Sequence, residues 1–132
     1  MHITLEADYA VRIVLFLAKE NKRCDANKIS EETGVSLRFA LKILRNLVSN
    51  GIAKSFKGSC GGYELDYNPK ELTLYKVLEV TQGKYNFSRC LAEYDCTNPN
   101  IKNGCKVKKI FAEITQQVKE KLNSITISSL LE

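Results

Sequence analysis

The chain has 132 residues, 44% of them apolar, and carries 20 basic against 15 acidic side chains for a net charge of +5. That length holds one domain with one modest core, and the charge permits a nucleic-acid partner without requiring one. The early apolar run AVRIVLFLA is broken by Arg12 and preceded by Glu6 and Asp8, unlike a secretory leader; with no stretch near the roughly 18 apolar residues of a membrane span, the chain reads as a cytoplasmic protein without a membrane partner.

Residues 4–19 place Leu5, Tyr9, Ile13, Phe16 and Leu17 at spacings of three and four, which predicts a helix with one buried face. ENKR breaks the pattern. Asp25 is a candidate N-cap for a short helix from Ala26 to Thr33, stopped by Gly34. Ser36 can cap the most strongly patterned helix, residues 37–49. There Leu37, Phe39, Leu41, Ile43, Leu44, Leu47 and Val48 share a broad side, and Arg38, Lys42, Arg45, Asn46 and Ser49 fall on the other. Asn50–Gly51 ends it.

The stretch IAKSFKGSCGGYELDYN alternates on either side of a glycine cluster. Ile52, Lys54 and Phe56 lead in and Tyr63, Leu65 and Tyr67 lead out, which predicts a two-strand hairpin with a long tip. Thr73 can cap a helix from Leu74 to Val80 that Gly83 ends. Residues 84–104 show no clean period. Residues 106–122 turn helical, with Val107, Ile110, Phe111, Ile114, Val118 and Leu122 in one stripe. Such a stripe needs a partner, and a second copy of the chain is the simplest one. The tail SITISSLLE is ambiguous.

Helix, Gly-containing turn, helix and hairpin in that order make a winged helix-turn-helix. From Ser36 to Tyr63 there is no acid, while Arg38, Lys42, Arg45, Lys54 and Lys57 are basic. The first three share a helix face, as entry into a DNA major groove requires. A merely solvated helix face is the plainer alternative; the consecutive order of basic helix and basic glycine hairpin favours DNA. Ser36, Arg38, Lys42 and Arg45 are then the candidate contacts of the helix, and Lys57, Gly58, Gly61 and Gly62 those of the wing tip KGSCGGY. Its glycines allow close backbone approach and Lys57 supplies charge. The GxxxxGK[ST] signature of a nucleotide-phosphate loop is absent.

Cys90, Cys96 and Cys105 are spaced C-x5-C-x8-C, unlike the CxxC pairs of structural zinc. Three soft ligands suit an iron–sulfur cluster if a fourth comes from elsewhere. Thiol redox chemistry and chemically inert thiols both remain open on spacing alone. Cys24 and Cys60 match no motif. The sole histidine, His2, gives little acid–base capacity, so no enzyme is expected.

MHITLEADYAVRIVLFLA, the run from ISEETGVSLRFALKILRN through KGSCGGYELDYN to VLEVTQG, and the three cysteines together resemble the IscR/NsrR family of bacterial winged-helix regulators, over residues 1 to about 122. The resemblance implies a homodimer on a palindromic double-stranded DNA operator. It also implies a 2Fe–2S or 4Fe–4S cluster at Cys90, Cys96 and Cys105, responsive to iron–sulfur status, nitric oxide or redox state and open to loss in aerobic purification. Phe111 takes the place of an aromatic residue, usually Trp, after the third cysteine. The IscR type places a histidine ligand where this chain has Lys108. The NsrR type takes an acid from the first helix of the other subunit, a position that matches Asp8, with Glu6 in reserve. The spacing between the second and third cysteines is longer than the family's. Leu41, Arg38 and Lys57 replace a glutamate, a serine and an arginine that act on DNA in the IscR type, and Cys60 stands where a small residue or proline is usual.

The expected architecture is mostly α with a small β-hairpin wing. Residues 1–83 form the winged helix-turn-helix, 84–105 the cysteine-containing sensor loop, and 106–132 a long C-terminal dimerisation helix and tail. The expected function is a repressor-type, dimeric transcription factor that senses through its cluster. The alternatives are a cluster-free thiol/disulfide sensor and, more remotely, a protein-interaction module that does not bind DNA.

Overall fold

Thr4 starts the first helix, α1 (Leu5–Glu20), its hydroxyl accepting the Ala7 amide at 3.1 Å. Such a cap supplies about 1 kcal/mol by satisfying an amide that has no partner within the helix. The computed structural model describes residues 2–92, 96 and 104–131. The buried face of α1 is Ala7, Ala10, Ile13, Val14 and Leu17. Leu5, expected on that face, is 60% exposed. The buried face instead includes two alanines, and α1 packs chiefly along a later helix, α4 (Leu74–Gln82).

The expected caps recur at the next helices. Asp25 accepts the Lys28 amide at 2.9 Å to open α2 (Ala26–Thr33), and Gly34 closes it at φ 70° with its N–H on the Ser30 carbonyl. Ser36 caps α3 (Leu37–Ser49), which buries Ala40, Ile43, Leu44 and Leu47. Leu37 and Leu41 lie off that buried set, and Asn46, expected on the polar face, is half-buried with its amide donating to the Val80 carbonyl at 3.0 Å. The hairpin pairs β1 (Ala53–Phe56) with β2 (Gly62–Leu65) antiparallel, from Ala53 opposite Leu65 to Phe56 opposite Gly62. Cys24 adds a bridge on the outer side of β2, exchanging N–H···O bonds of 2.9 and 2.8 Å with Tyr63.

Thr73 caps α4, which runs two residues past the expected end at Val80. The Gln82 Oε1 so placed accepts the Thr4 N–H at 3.0 Å and ties the end of α4 to the start of α1. After a 3-10 turn (Arg89–Leu91), α5 (Lys106–Ser124) follows. The segment 84–105, expected to form the sensor loop, includes residues 93–95 and 97–103, which lie outside the described residues. Along α5, Thr115 is buried, accepting the Phe87 N–H at 3.0 Å, and Phe111 packs on Phe87 at 5.2 Å between ring centroids. The tail folds back. Thr126 bridges Thr73, the Ile127 N–H reaches the Leu72 carbonyl at 2.8 Å, and the Ile127 side chain is fully buried in the core formed by α1 to α4. Among the described residues no helix is long and apolar enough to cross a membrane.

Candidate nucleic-acid interface and cysteine segment

The second helix-turn-helix element, α3, presents Ser36, Arg38, Lys42 and Arg45 as exposed residues, and these four with Phe39 line one concavity. Ser36 Oγ accepts the Phe39 amide at 3.4 Å, which leaves its own hydrogen available to a phosphate. Lys42 differs from its neighbours. Its Nζ lies 3.1 Å from Glu6 Oε2 in the first turn of α1. Lys54 is likewise neutralised, 3.3 Å from Asp66. Among the described residues no carboxylate pairs with Arg38, Arg45 or Lys57.

An aromatic path joins α1 to this face. Lys42 Nζ sits 5.8 Å from the Phe39 ring centroid, Phe39 meets Tyr9 edge-on at 5.5 Å, and Arg12 lies 5.2 Å over Tyr9. Arg12 in turn pairs with Asp8 at 2.9 Å. Both carboxylates singled out in the sequence, Asp8 and Glu6, are therefore held by cations within the chain.

At the wing, Lys57 and Gly58 are exposed, and the Gly61 N–H closes the tip on the Gly58 carbonyl at 3.0 Å. The wing's own packing demands Gly62: a Cβ there would lie 2.5 Å from the Cys24 carbonyl oxygen. Cys24 is buried, and burial pushes its thiol up, which keeps it protonated and inert. Sequence reasoning missed Arg23. Its guanidinium carbon lies 3.5 Å from the Phe56 ring centroid and its Nη1 donates to the Cys60 carbonyl at 3.0 Å. Nothing local marks it, because both contacts span more than thirty residues of chain.

Cys90 and Cys96 are exposed and Cys105 is half-buried. The Ser88 hydroxyl donates to Cys90 Sγ at 3.3 Å. Cys105 caps α5, its Sγ accepting the Lys108 amide at 3.4 Å. Two of the three sulfurs thus already serve as acceptors beside a segment rich in cations, a donor set whose chemistry fits a thiolate-bound cluster. Among the described residues of a single chain, no three His, Cys, Asp or Glu side chains gather at metal-holding range.

A family model described as Rrf2, an iron-dependent transcriptional regulator, matches residues 3–132. The chain is 26% identical over 133 residues to the HTH-type transcriptional regulator IscR of Pectobacterium atrosepticum, covering 99% of this chain and 79% of that protein. Its fold is similar to that of CymR (YrzC), the global cysteine regulator of B. subtilis, with a TM-score of 0.80, 22% identity and coverage of 99% and 96% of the two chains. It is also similar to T. potens IscR, with a TM-score of 0.76, 21% identity and coverage of 99% and 86%.

Proposed function

This chain belongs to the Rrf2 family of transcriptional regulators, and from that premise we propose that it works as a homodimer on a palindromic operator, with a sensor at Cys90, Cys96 and Cys105. The members of such a family regulate transcription and are not enzymes. The observation that carries the DNA-contact assignment is the concavity on α3 where Ser36, Arg38, Lys42 and Arg45 converge. In this reading α3 enters the major groove, and Lys57, Gly58, Gly61 and Gly62 carry the wing against the neighbouring backbone or minor groove.

Dimerisation is supported by α5, where Val107 and Ile110 are each 54% exposed although they head an amphipathic stripe. Ile3 and Leu5, at the start of α1, add further exposed apolar surface. Two such chains would cover these faces and set two reading helices at a fixed spacing.

For the sensor, Cys90, Cys96 and Cys105 would hold a 2Fe–2S or 4Fe–4S cluster, with Asp8 of the partner subunit as fourth ligand. Bound there, the cluster supplies a centre reactive toward oxidants and nitric oxide. The chain's own contribution is the connection onward. Asp8 pairs with Arg12 through one oxygen, so ligation by that carboxylate would weaken its hold on Arg12, and Arg12 stacks on the Tyr9 ring that touches Phe39 of α3. A change at Asp8 would thereby bias the reading helix. A second reading, a cluster-free thiol sensor of the cytoplasm, is favoured by the exposure of Cys90 and Cys96.

Anaerobic purification followed by absorption spectroscopy with iron and sulfide analysis tests the sensor. Visible charge-transfer bands with stoichiometric sulfide are expected; a colourless, sulfide-free protein leaves the thiol reading. Salt-dependent binding to the protein's own promoter fragment tests the DNA assignment.

A further inference from the structure

We infer that Arg23, which belongs to neither the helix-turn-helix nor the hairpin, fixes the position of the wing for DNA contact; the inference rests on the DNA-binding reading above. Arg23 lies on the connection between α1 and α2. Its neighbour Cys24 is bridged to Tyr63 through paired backbone hydrogen bonds, so the root of the Arg23 side chain is anchored to β2. From there the guanidinium covers the Phe56 ring at 3.5 Å and donates to the Cys60 carbonyl at 3.0 Å.

These two contacts lie on opposite legs of the tip. Phe56 ends β1 and is followed directly by Lys57, while Cys60 leads into Gly61 and Gly62 on the return. One planar side chain therefore clasps both sides of a loop whose own backbone contributes the single bond from Gly61 to Gly58 among the described residues. Asp25 and Glu64 line the same concavity, yet among the described residues neither forms an ion pair with Arg23. Asp25 is engaged as the α2 cap. The guanidinium is used for its plane and one of its donors rather than for charge pairing. A glycine-rich tip held this way meets DNA with its conformational freedom already restricted, which raises affinity through preorganisation. Arg23 is a positioning residue, acting through Phe56, Lys57 and Cys60. It is exposed, so its removal leaves the core intact.

The test compares the full-length chain with Arg23→Ala and Arg23→Lys. Four quantities are read: backbone 15N order parameters at Ser59, Cys60 and Gly61 in free protein, the melting temperature, and the hydroxyl-radical footprint and affinity on the protein's own promoter fragment. Both substitutions should lower the order parameters, leave the melting temperature unchanged and weaken binding about tenfold. The wing's part of the footprint should fade while that of α3 persists. Unchanged order parameters in Arg23→Ala overturn the inference, as does wild-type affinity in Arg23→Lys, because charge alone would then suffice. Absence of binding by the unaltered chain overturns the DNA reading and this role together. Binding by the unaltered chain with Arg23→Ala unaffected overturns the role of Arg23 alone.

Discussion

Glu6 Oε2 holds Lys42 Nζ at 3.1 Å, so the first turn of α1 restrains a cation of the helix proposed to enter the major groove. The lysine side chain is 66% exposed and the carboxylate 26%, which limits such a pair to under about 1 kcal/mol. A DNA phosphate approaching Lys42 competes with Glu6 for its ammonium. Glu6→Gln is therefore expected to tighten binding to the promoter fragment by about two- to fivefold at low salt. The gain should vanish when Lys42 is also alanine, a double-mutant cycle readable by fluorescence titration. Weaker binding by Glu6→Gln would show that the carboxylate orients the lysine rather than competing for it.

Arg38 has no carboxylate partner among the described residues and stands exposed at the start of α3. Its charge is directly available to DNA. Arg38→Ala should reduce affinity by about 1–3 kcal/mol if the side chain reads a base, with relaxed specificity at one position. If it contacts a phosphate, the loss should be uniform across sequences and the salt slope should fall by about 0.9. The melting temperature should not move in either case. Unchanged affinity at moderate salt would remove this face from the interface.

Gly62 sits where β2 passes the carbonyl of Cys24, at φ 150° and with a virtual Cβ 2.5 Å from that oxygen. The contact is backbone, so no flexible side chain can yield. Gly62→Ala is expected to cost about 2 kcal/mol in urea unfolding and to loosen the Cys24–Tyr63 bridge. Because that bridge anchors Arg23, binding should weaken by more than the stability loss accounts for. Wild-type stability would mean that the wing can shift outward freely.

The parts of this fold written in local chemistry are legible in the sequence. Asp25, Ser36 and Thr73 each cap the helix that follows, and Gly34 and Gly83 end helices as expected, because a cap or stop acts within three or four residues. Leu5 misleads because bulk in the sequence suggests a buried face, whereas the buried face of α1 includes the small residues Ala7 and Ala10. Ile127 lies in the core through a bridge between Thr73 and Thr126, and the tail that carries it has no period to announce it. The same reason hides the site's connections. Glu6 and Lys42 are 36 residues apart and Arg23 and Cys60 are 37 apart, so the basic face was readable while its restraints were not.

Ile110 is 54% exposed on α5, one turn before Ile114 and beside Phe111. A charge at this position would be desolvated by any partner helix laid on the apolar stripe of α5 and would cost little in an isolated chain. Ile110→Glu is expected to shift the protein from dimer to monomer in sedimentation velocity while the helical circular dichroism is kept. Operator affinity should fall steeply, since two half-sites would no longer be read as one unit. A mass that stays dimeric would locate the contact elsewhere.

Cys96 stands exposed between Cys90 and Cys105, and it makes the cleanest test of the sensor because no described contact depends on it. Cys105 is less suitable, since its sulfur caps α5 and its removal would fray the helix as well as delete a proposed ligand. Cys96→Ala is expected to abolish the visible absorbance and the bound sulfide of anaerobically purified protein at unchanged melting temperature. Cys60→Ala, which removes an exposed thiol at the wing tip, should leave both at the wild-type level. Asp8→Ala separates the proposed fourth ligand from the three thiols. Loss of that carboxylate frees Arg12, and it should make the cluster labile to oxygen without preventing its assembly. A full spectrum in Cys96→Ala would refute the assignment, whereas a full spectrum in Asp8→Ala would move the fourth ligand elsewhere and leave the three cysteines standing.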